Sequence, residues 1–315
     1  MTLWLLSILG LVILLLAGDA LVRGAVNLSL RLGVPALIVS LTIVAFGTSA
    51  PELLIAISAV RDNAPGIALG NVVGSNTANI LLVLGIPALI TTLHTSECDS
   101  RKNYVLMILA SVLFIGLAFL GTFTIGTGLI LLAMLGVVLM DMMRDARAHR
   151  VNGASDELEE IDEADPDMPY WRVGLYLVLG LVGLPLGAHL LVTNASLIAQ
   201  AYGVSDTVIG LTLVAVGTSL PELATTVMAA LRRQADVALG NVIGSNMFNL
   251  LGIVGIATFF GDIKVAPEFL NFDLWVMLGA SLLMFPFVFF KVNITRLWGI
   301  VLTALYAVYV FAILN

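Results

Sequence analysis

Two acidic residues stand inside otherwise apolar sequence, Glu52 in Gly47-Thr48-Ser49-Ala50-Pro51-Glu52 and Glu222 in Gly217-Thr218-Ser219-Leu220-Pro221-Glu222, at an offset of 170 residues. A carboxylate in hydrocarbon costs roughly 2.5–3.5 kcal/mol on insertion scales, so two at matching positions ask for a cation between them. On a helix, Glu52, Ser49, Thr48 and Ala45 fall at i, i−3, i−4 and i−7 and share one face, which offers a carboxylate and two hydroxyls. Glu222, Ser219, Thr218 and Ala215 repeat that stripe. Pro51 and Pro221 have no amide hydrogen, so the carbonyls of Gly47 and Gly217 lose their helical partners. A kink beside each glycine is expected to turn backbone oxygens towards the stripe.

A second pair of motifs, Gly70-Asn71-Val72-Val73-Gly74-Ser75-Asn76-Thr77-Ala78-Asn79 and Gly240-Asn241-Val242-Ile243-Gly244-Ser245-Asn246-Met247-Phe248-Asn249, places Ser75 with Asn79 and Ser245 with Asn249 at i and i+4. The glycines four apart let a neighbouring helix approach closely. Asn71, Asn76, Asn241 and Asn246 lie off that face and read as helix-to-helix hydrogen bonders. Every candidate ligand is oxygen, with no His or Cys, a set that selects hard cations such as Ca2+ or Na+ over zinc or copper. Calcium takes about 6–8 oxygens, and two carboxylates neutralise it.

The elements that must position these groups are membrane helices. Of 315 residues 60% are apolar and 11% charged, with mean hydropathy +1.07. Runs of about 20 apolar residues recur from end to end. Punctuation by polar residues gives ten spans, near 2–30, 35–60, 66–92, 104–120, 126–143, 172–200, 205–230, 236–260, 274–290 and 297–314. The first run, which lacks a basic leader, reads as a span rather than a signal peptide. Lys and Arg near span ends favour the cytoplasm. With both termini outside, twelve basic residues fall inside and only Arg61 and Lys264 outside.

The polar stretch 144–171 opens basic and turns acidic, and without calcium-loop spacing it reads as a solvated cytoplasmic linker. It divides the chain into 1–143 and 172–315. Residues 41–86 align without a gap on residues 211–256 with 23 of 46 positions identical. Five spans per half is an odd number, so the second half enters from the opposite side and equivalent segments meet at the midplane. The fold class is therefore an all-α polytopic membrane protein, ten transmembrane helices in two inverted five-helix repeats. Asp19 and His189, also 170 apart, read first as satisfied or solvated groups, with an access path as the functional alternative. Cys98, the single cysteine, excludes an internal disulfide and a cysteine-cluster metal site, and nothing beyond the topology is basic enough for nucleic acid.

The twin GTS-x-PE and GN-x-x-GSN segments resemble the alpha repeats of the sodium/calcium exchangers within the calcium/cation antiporter superfamily. The resemblance implies that Glu52 and Glu222 are the central calcium carboxylates. It implies flanking sodium sites from Ser49, Thr48 and the Ala45 carbonyl and from Ser219, Thr218 and the Ala215 carbonyl, with Ser75, Asn79, Ser245 and Asn249 completing the cluster. Where relatives commonly carry Asp this chain has Asn249, leaving two carboxylates rather than three. Proton-coupled cousins usually show GN-x-x-E in place of GTS-x-PE, which favours sodium as the driving ion.

The expected function is antiport of Na+ against Ca2+ across the plasma (inner) membrane by alternating access, spans 2–30 and 172–200 sliding over the rest. Two unpaired buried carboxylates disfavour crossing unloaded, which enforces exchange. The partners are Ca2+, Na+ and the lipid bilayer, with no cofactor and no catalysis. A proton-coupled cation antiporter is the first alternative and a passive cation channel the second. An intramembrane hydrolase would need an acid/base pair reaching a scissile bond, and the surrounding hydroxyls and carbonyls suit ion coordination better.

Overall fold

The structure, a computed structural model, describes residues 2–151, 165, 168–203 and 215–314. In the first half run α1 (Thr2–Leu32), α2 (Ala36–Thr48), α3 (Ala50–Arg61), α4 (Pro65–Ile90), α5 (Arg101–Ala118) and α6 (Ile125–Val151). In the second run α7 (Tyr170–Ala201), α8 (Ala215–Thr218), α9 (Leu220–Leu231), α10 (Ala235–Ala257), α11 (Phe269–Phe289) and α12 (Arg296–Leu314). Among the described residues eight helices are long and apolar enough to cross a membrane, and α2 with α3, bent by 42° at their junction, make nine. Of the expected span 205–230 only α8 and α9 lie within the described residues. The expected linker is helical at both ends, because α6 continues through residue 151 and α7 begins at Tyr170. Its acidic residues 156–163 lie outside the described residues.

The sequence repeat is mirrored element by element. α3 and α9 begin 170 residues apart, as do α4 and α10. Asn63 (φ 57) and Arg233 (φ 56) terminate α3 and α9 in the left-handed region. The next amides, of Ala64 and Gln234, each reach back to the carbonyls of Ala59 and Ala229 at 2.8 Å, the six-to-one bond of a Schellman cap. Asn adopts that conformation readily and Arg rarely, so Arg233 is held there by the cap rather than by its own preference.

The ends of α3 and α9 meet different loops. Val60, in the last turn of α3, meets Gly261 beside the small sheet of β1 (Thr122–Phe123) and β2 (Ile263–Lys264), paired antiparallel as Thr122 with Lys264 and Phe123 with Ile263. The loop after α9 leads into Asp236, which bonds Cys98 in the loop that follows α4. That loop carries Leu93, which is bridged to Ile294.

α1 and α7 lie antiparallel along their length through small residues. A Cβ on Gly10 would stand 2.6 Å from the Leu191 amide nitrogen, one on Gly187 2.8 Å from that of Leu14, and one on Gly180 2.5 Å from the Leu21 side chain. Apolar tails solvate Leu as well as Leu does, so helices in lipid associate by such close approach. The outward residues of the pair, among them Leu5, Leu16, Val182 and Leu186, are exposed as lipid contact requires.

α10 seats against α2 by the same device. A Cβ on Gly244 would fall 2.6 Å from both the Leu41 carbonyl oxygen and the Ala45 Cβ, and Ser40 Oγ donates to the Val237 carbonyl at 2.6 Å. Gly244→Ala therefore pushes backbone from backbone, with an expected destabilisation of about 1–3 kcal/mol, read as a lower unfolding temperature in detergent. Gly136→Ala, where a Cβ meets nothing within 4 Å, is expected to leave that temperature unchanged or higher, since Ala is the better helix former.

Candidate cation-binding site

Both acidic motifs break their helices at the serine. Ser49 (φ −84, ψ 3) separates α2 from α3, and Ser219 (φ −86, ψ 5) separates α8 from α9. Their carbonyls accept the first helical bonds, from Leu53 at 3.2 Å and Leu223 at 2.9 Å. The expected kink is thus present but lies two residues after the glycine. The glycines serve packing: a Cβ on Gly47 would strike Leu181 of α7 at 2.0 Å and one on Gly217 would strike Val192 at 2.6 Å. Pro51 and Pro221 occupy the first turn of α3 and α9, where a missing amide hydrogen costs nothing.

The break puts Glu52 and Glu222 in the first turn of their helices, each 0% exposed. Ser49 Oγ donates to Glu222 Oε1 at 3.1 Å, joining the two motifs directly. Thr48 Oγ1 donates to Asn241 Oδ1 at 3.2 Å and stands 3.4 Å from Ser245 Oγ, and Thr48 and Ser245 also face the Glu222 carboxyl. Glu52 is near enough to Glu222 for the two charges to repel. The Ala45 carbonyl accepts the Ser49 amide at 3.1 Å and is the alternative acceptor for the Thr48 hydroxyl at 3.3 Å. Ala215 opens α8, and Thr218, at its end, is half-buried.

The second motifs enter from α4 and α10. Ser75, Asn79, Ser245 and Asn249 are all buried. Asn79 Nδ2 donates to Asn246 Oδ1 at 3.0 Å, while Asn76 and Asn246 each donate to the other's backbone carbonyl, at 3.3 and 3.4 Å. Asn71 and Asn241 donate to the backbone carbonyls of Glu52 and Glu222, at 3.4 and 3.2 Å. These four asparagines do the helix-to-helix work expected of them, and Asn241 also holds Thr48.

What the sequence does not announce is the widening of the helices around the site. Ser40–Val44, Asn79–Val83 and Phe248–Ile253 are π-helical turns, which leave carbonyls off the regular ladder and often mark functional positions. Asn79 begins the second of these and Asn249 lies in the third.

Seven buried side-chain oxygens in this region accept or donate no hydrogen bond: Glu52 Oε1 and Oε2, Glu222 Oε2, Ser219 Oγ, Asn76 Oδ1, Asn79 Oδ1 and Asn249 Oδ1. A buried polar atom without a partner costs about 1–3 kcal/mol, and most such atoms in proteins are satisfied. Oxygens gathered from both halves with that cost outstanding are the donor set a hard cation takes.

A family model described as "Sodium/calcium exchanger protein" matches residues 2–143 and 173–315. The "Sodium/calcium exchanger MaX1" of Methanosarcina acetivorans is 33% identical over 338 residues, covering 97% of each chain. The "Inner membrane protein YrbG" of Escherichia coli is 33% identical over 279 residues, 88% of this chain and 86% of that one. Among solved structures, the sodium-calcium exchanger NCX_Mj soaked with 10 mM Na+ and zero Ca2+ superposes with TM-score 0.81 at 33% identity, covering 96% of each chain. With both halves matched by the family and nearly the full length matched by its members, the chain belongs to the sodium/calcium exchanger family of membrane antiporters.

Proposed function

We propose that the protein exchanges Na+ for Ca2+ by alternating access, with both ions competing for the oxygen cluster between the two acidic motifs. The observation that carries the reading is the set of seven unpartnered buried oxygens, two of them on Glu52. Glu52 and Glu222 supply the two negative charges that match one Ca2+. Ser49, Thr48, Ser75, Asn79, Ser219, Thr218, Ser245, Asn249 and the carbonyls of Ala45 and Ala215 supply the neutral oxygens. A half-helix ending in carbonyls beside a first-turn carboxylate is the pattern by which broken membrane helices hold cations.

The same proposal includes the architecture. Residues 1–143 and 172–315 form two five-span repeats of opposite orientation joined by the cytoplasmic stretch 144–171, with ten spans and both termini outside. The paired loops and the reciprocal Asn76 and Asn246 bonds support it. The membrane is the plasma or inner membrane, and the charge bias of the loops supports the orientation given above.

The test is uptake of radioactive calcium into proteoliposomes. Vesicles loaded with Na+ are expected to take up Ca2+, and vesicles with equal Na+ on both sides to fall to the leak of protein-free vesicles. Equal uptake driven by a pH gradient without sodium would replace sodium by proton coupling, and fast uptake needing no counter-ion would make the protein a channel.

A further inference from the structure

The core is covered unevenly by the α1/α7 pair. Backbone meets backbone where α1 crosses α9: a Cβ on Gly18 would lie 3.0 Å from the Ala224 carbonyl. α7 makes no comparable packing with α3. Leu54, the repeat counterpart of Ala224, is 67% exposed against 7% for Ala224.

An ion pair sits at the covered crossing. Arg232, just past the end of α9, bonds Asp19 of α1 through both Nε and a terminal nitrogen. The Arg232 side chain is only 11% exposed. Asp19 is also met by Arg23 at 3.1 Å, but from its own helix. Of these two bonds only the first ties the α1/α7 pair to the core. The repeat counterparts of Asp19 and Arg232 are His189 on α7 and Asp62 after α3, a second acceptor and donor combination with the roles exchanged. Both are exposed, and no ion pair joins them. A histidine donates a ring N–H to a carboxylate in either charge state, so the second pair can close without a proton being taken up.

We propose that Asp19 and Arg232 latch the α1/α7 pair over α9 in the state seen here, and that His189 and Asp62 form the matching latch when the pair slides to cover α3, so that one opens as the other closes. The inference rests on the alternating-access reading above. A latch of this kind sets the balance between the two states and need touch neither ion.

The experiment uses the full chain with Asp62→Cys and His189→Cys in proteoliposomes, cross-linked with Hg2+. Cys98 stays out of the reaction: it is 6% exposed, and burial together with the neighbouring Asp236 carboxylate pushes its thiol far above the ordinary range. The engineered pair is expected to cross-link slowly, and Asp19→Asn to raise the rate about tenfold, within the usual span of coupling between conformational states. Arg232→Gln is expected to do the same, which keeps the test sound if either variant folds poorly. Arg23→Gln, which removes a bond within α1 only, is expected to change the rate less than about twofold.

No cross-linking in any background, a rate indifferent to Asp19→Asn and Arg232→Gln, or equal acceleration by all three variants overturns the latch. Calcium uptake by the same vesicles before cross-linking reports separately on the alternating-access reading. Normal sodium-driven uptake with an indifferent cross-linking rate removes the latch alone.

Discussion

Glu52→Gln in sodium-loaded vesicles brings calcium uptake down to that of protein-free vesicles, and Glu222→Gln does the same. At the proposed site each exchange removes one of the two charges that would compensate a buried divalent ion. Leaving a buried charge without its partner costs about 3–5 kcal/mol, which is about two to four orders of magnitude in affinity. The two variants are expected to differ when no cation is present. Glu222 Oε1 already accepts the Ser49 hydroxyl, whereas both oxygens of Glu52 lack partners and face a like charge. Glu52→Gln therefore raises the unfolding temperature of the cation-free protein, and Glu222→Gln raises it less. In both, addition of Ca2+ no longer stabilises, because a ligand raises stability only by binding the folded form. Full calcium stabilisation retained in Glu52→Gln would remove that carboxylate from the site.

Much of this was legible in the chain because the membrane simplifies the reading. A carboxylate surrounded by apolar sequence has few structural explanations, so Glu52 and Glu222 stood out as candidates, and a gapless offset of 170 residues paired residues 41–86 with 211–256 around them. The helix bounds followed from apolar length, with α4 beginning at Pro65 and α10 at Ala235. What stayed hidden depended on neighbours distant in sequence. Gly47 reads as a hinge until Leu181 of α7 is found against it, and the break falls at Ser49 because Pro51 belongs to the helix that follows. The π turn at Asn79 carries no marker of type or spacing, since a widened turn is fixed by packing around it. Asp19 read as a satisfied or solvated group near a span end, but the partner that satisfies it, Arg232, is 213 residues away, just past a helix that the repeat alone cannot bring to it.

Asn249→Asp is expected to tighten calcium binding by about a hundredfold while lowering the unfolding temperature of the cation-free protein. Asn249 is 0% exposed, lies in the π turn of α10, and neither its amide oxygen nor its nitrogen has a partner. The substitution therefore breaks no hydrogen bond. At the proposed site it adds a third negative charge to those of Glu52 and Glu222, which is costly when bare and favourable against a divalent ion. A gain of about 2–3 kcal/mol, at the low end of the cost of an unpaired buried charge, corresponds to that hundredfold. Tighter binding appears mainly as slower release, so turnover should fall as affinity rises, and the current carried per Ca2+ should shift with the added charge. Asn79→Asp is the contrasting variant, because the Asn79 amide nitrogen donates to Asn246 Oδ1 at 3.0 Å. There the change replaces a donor by an oxygen facing an oxygen, and stability is lost with or without calcium. Calorimetry and thermal unfolding with and without Ca2+ separate the two cases. Equal behaviour of both variants would mean that Asn249 faces the packed interior rather than the ion.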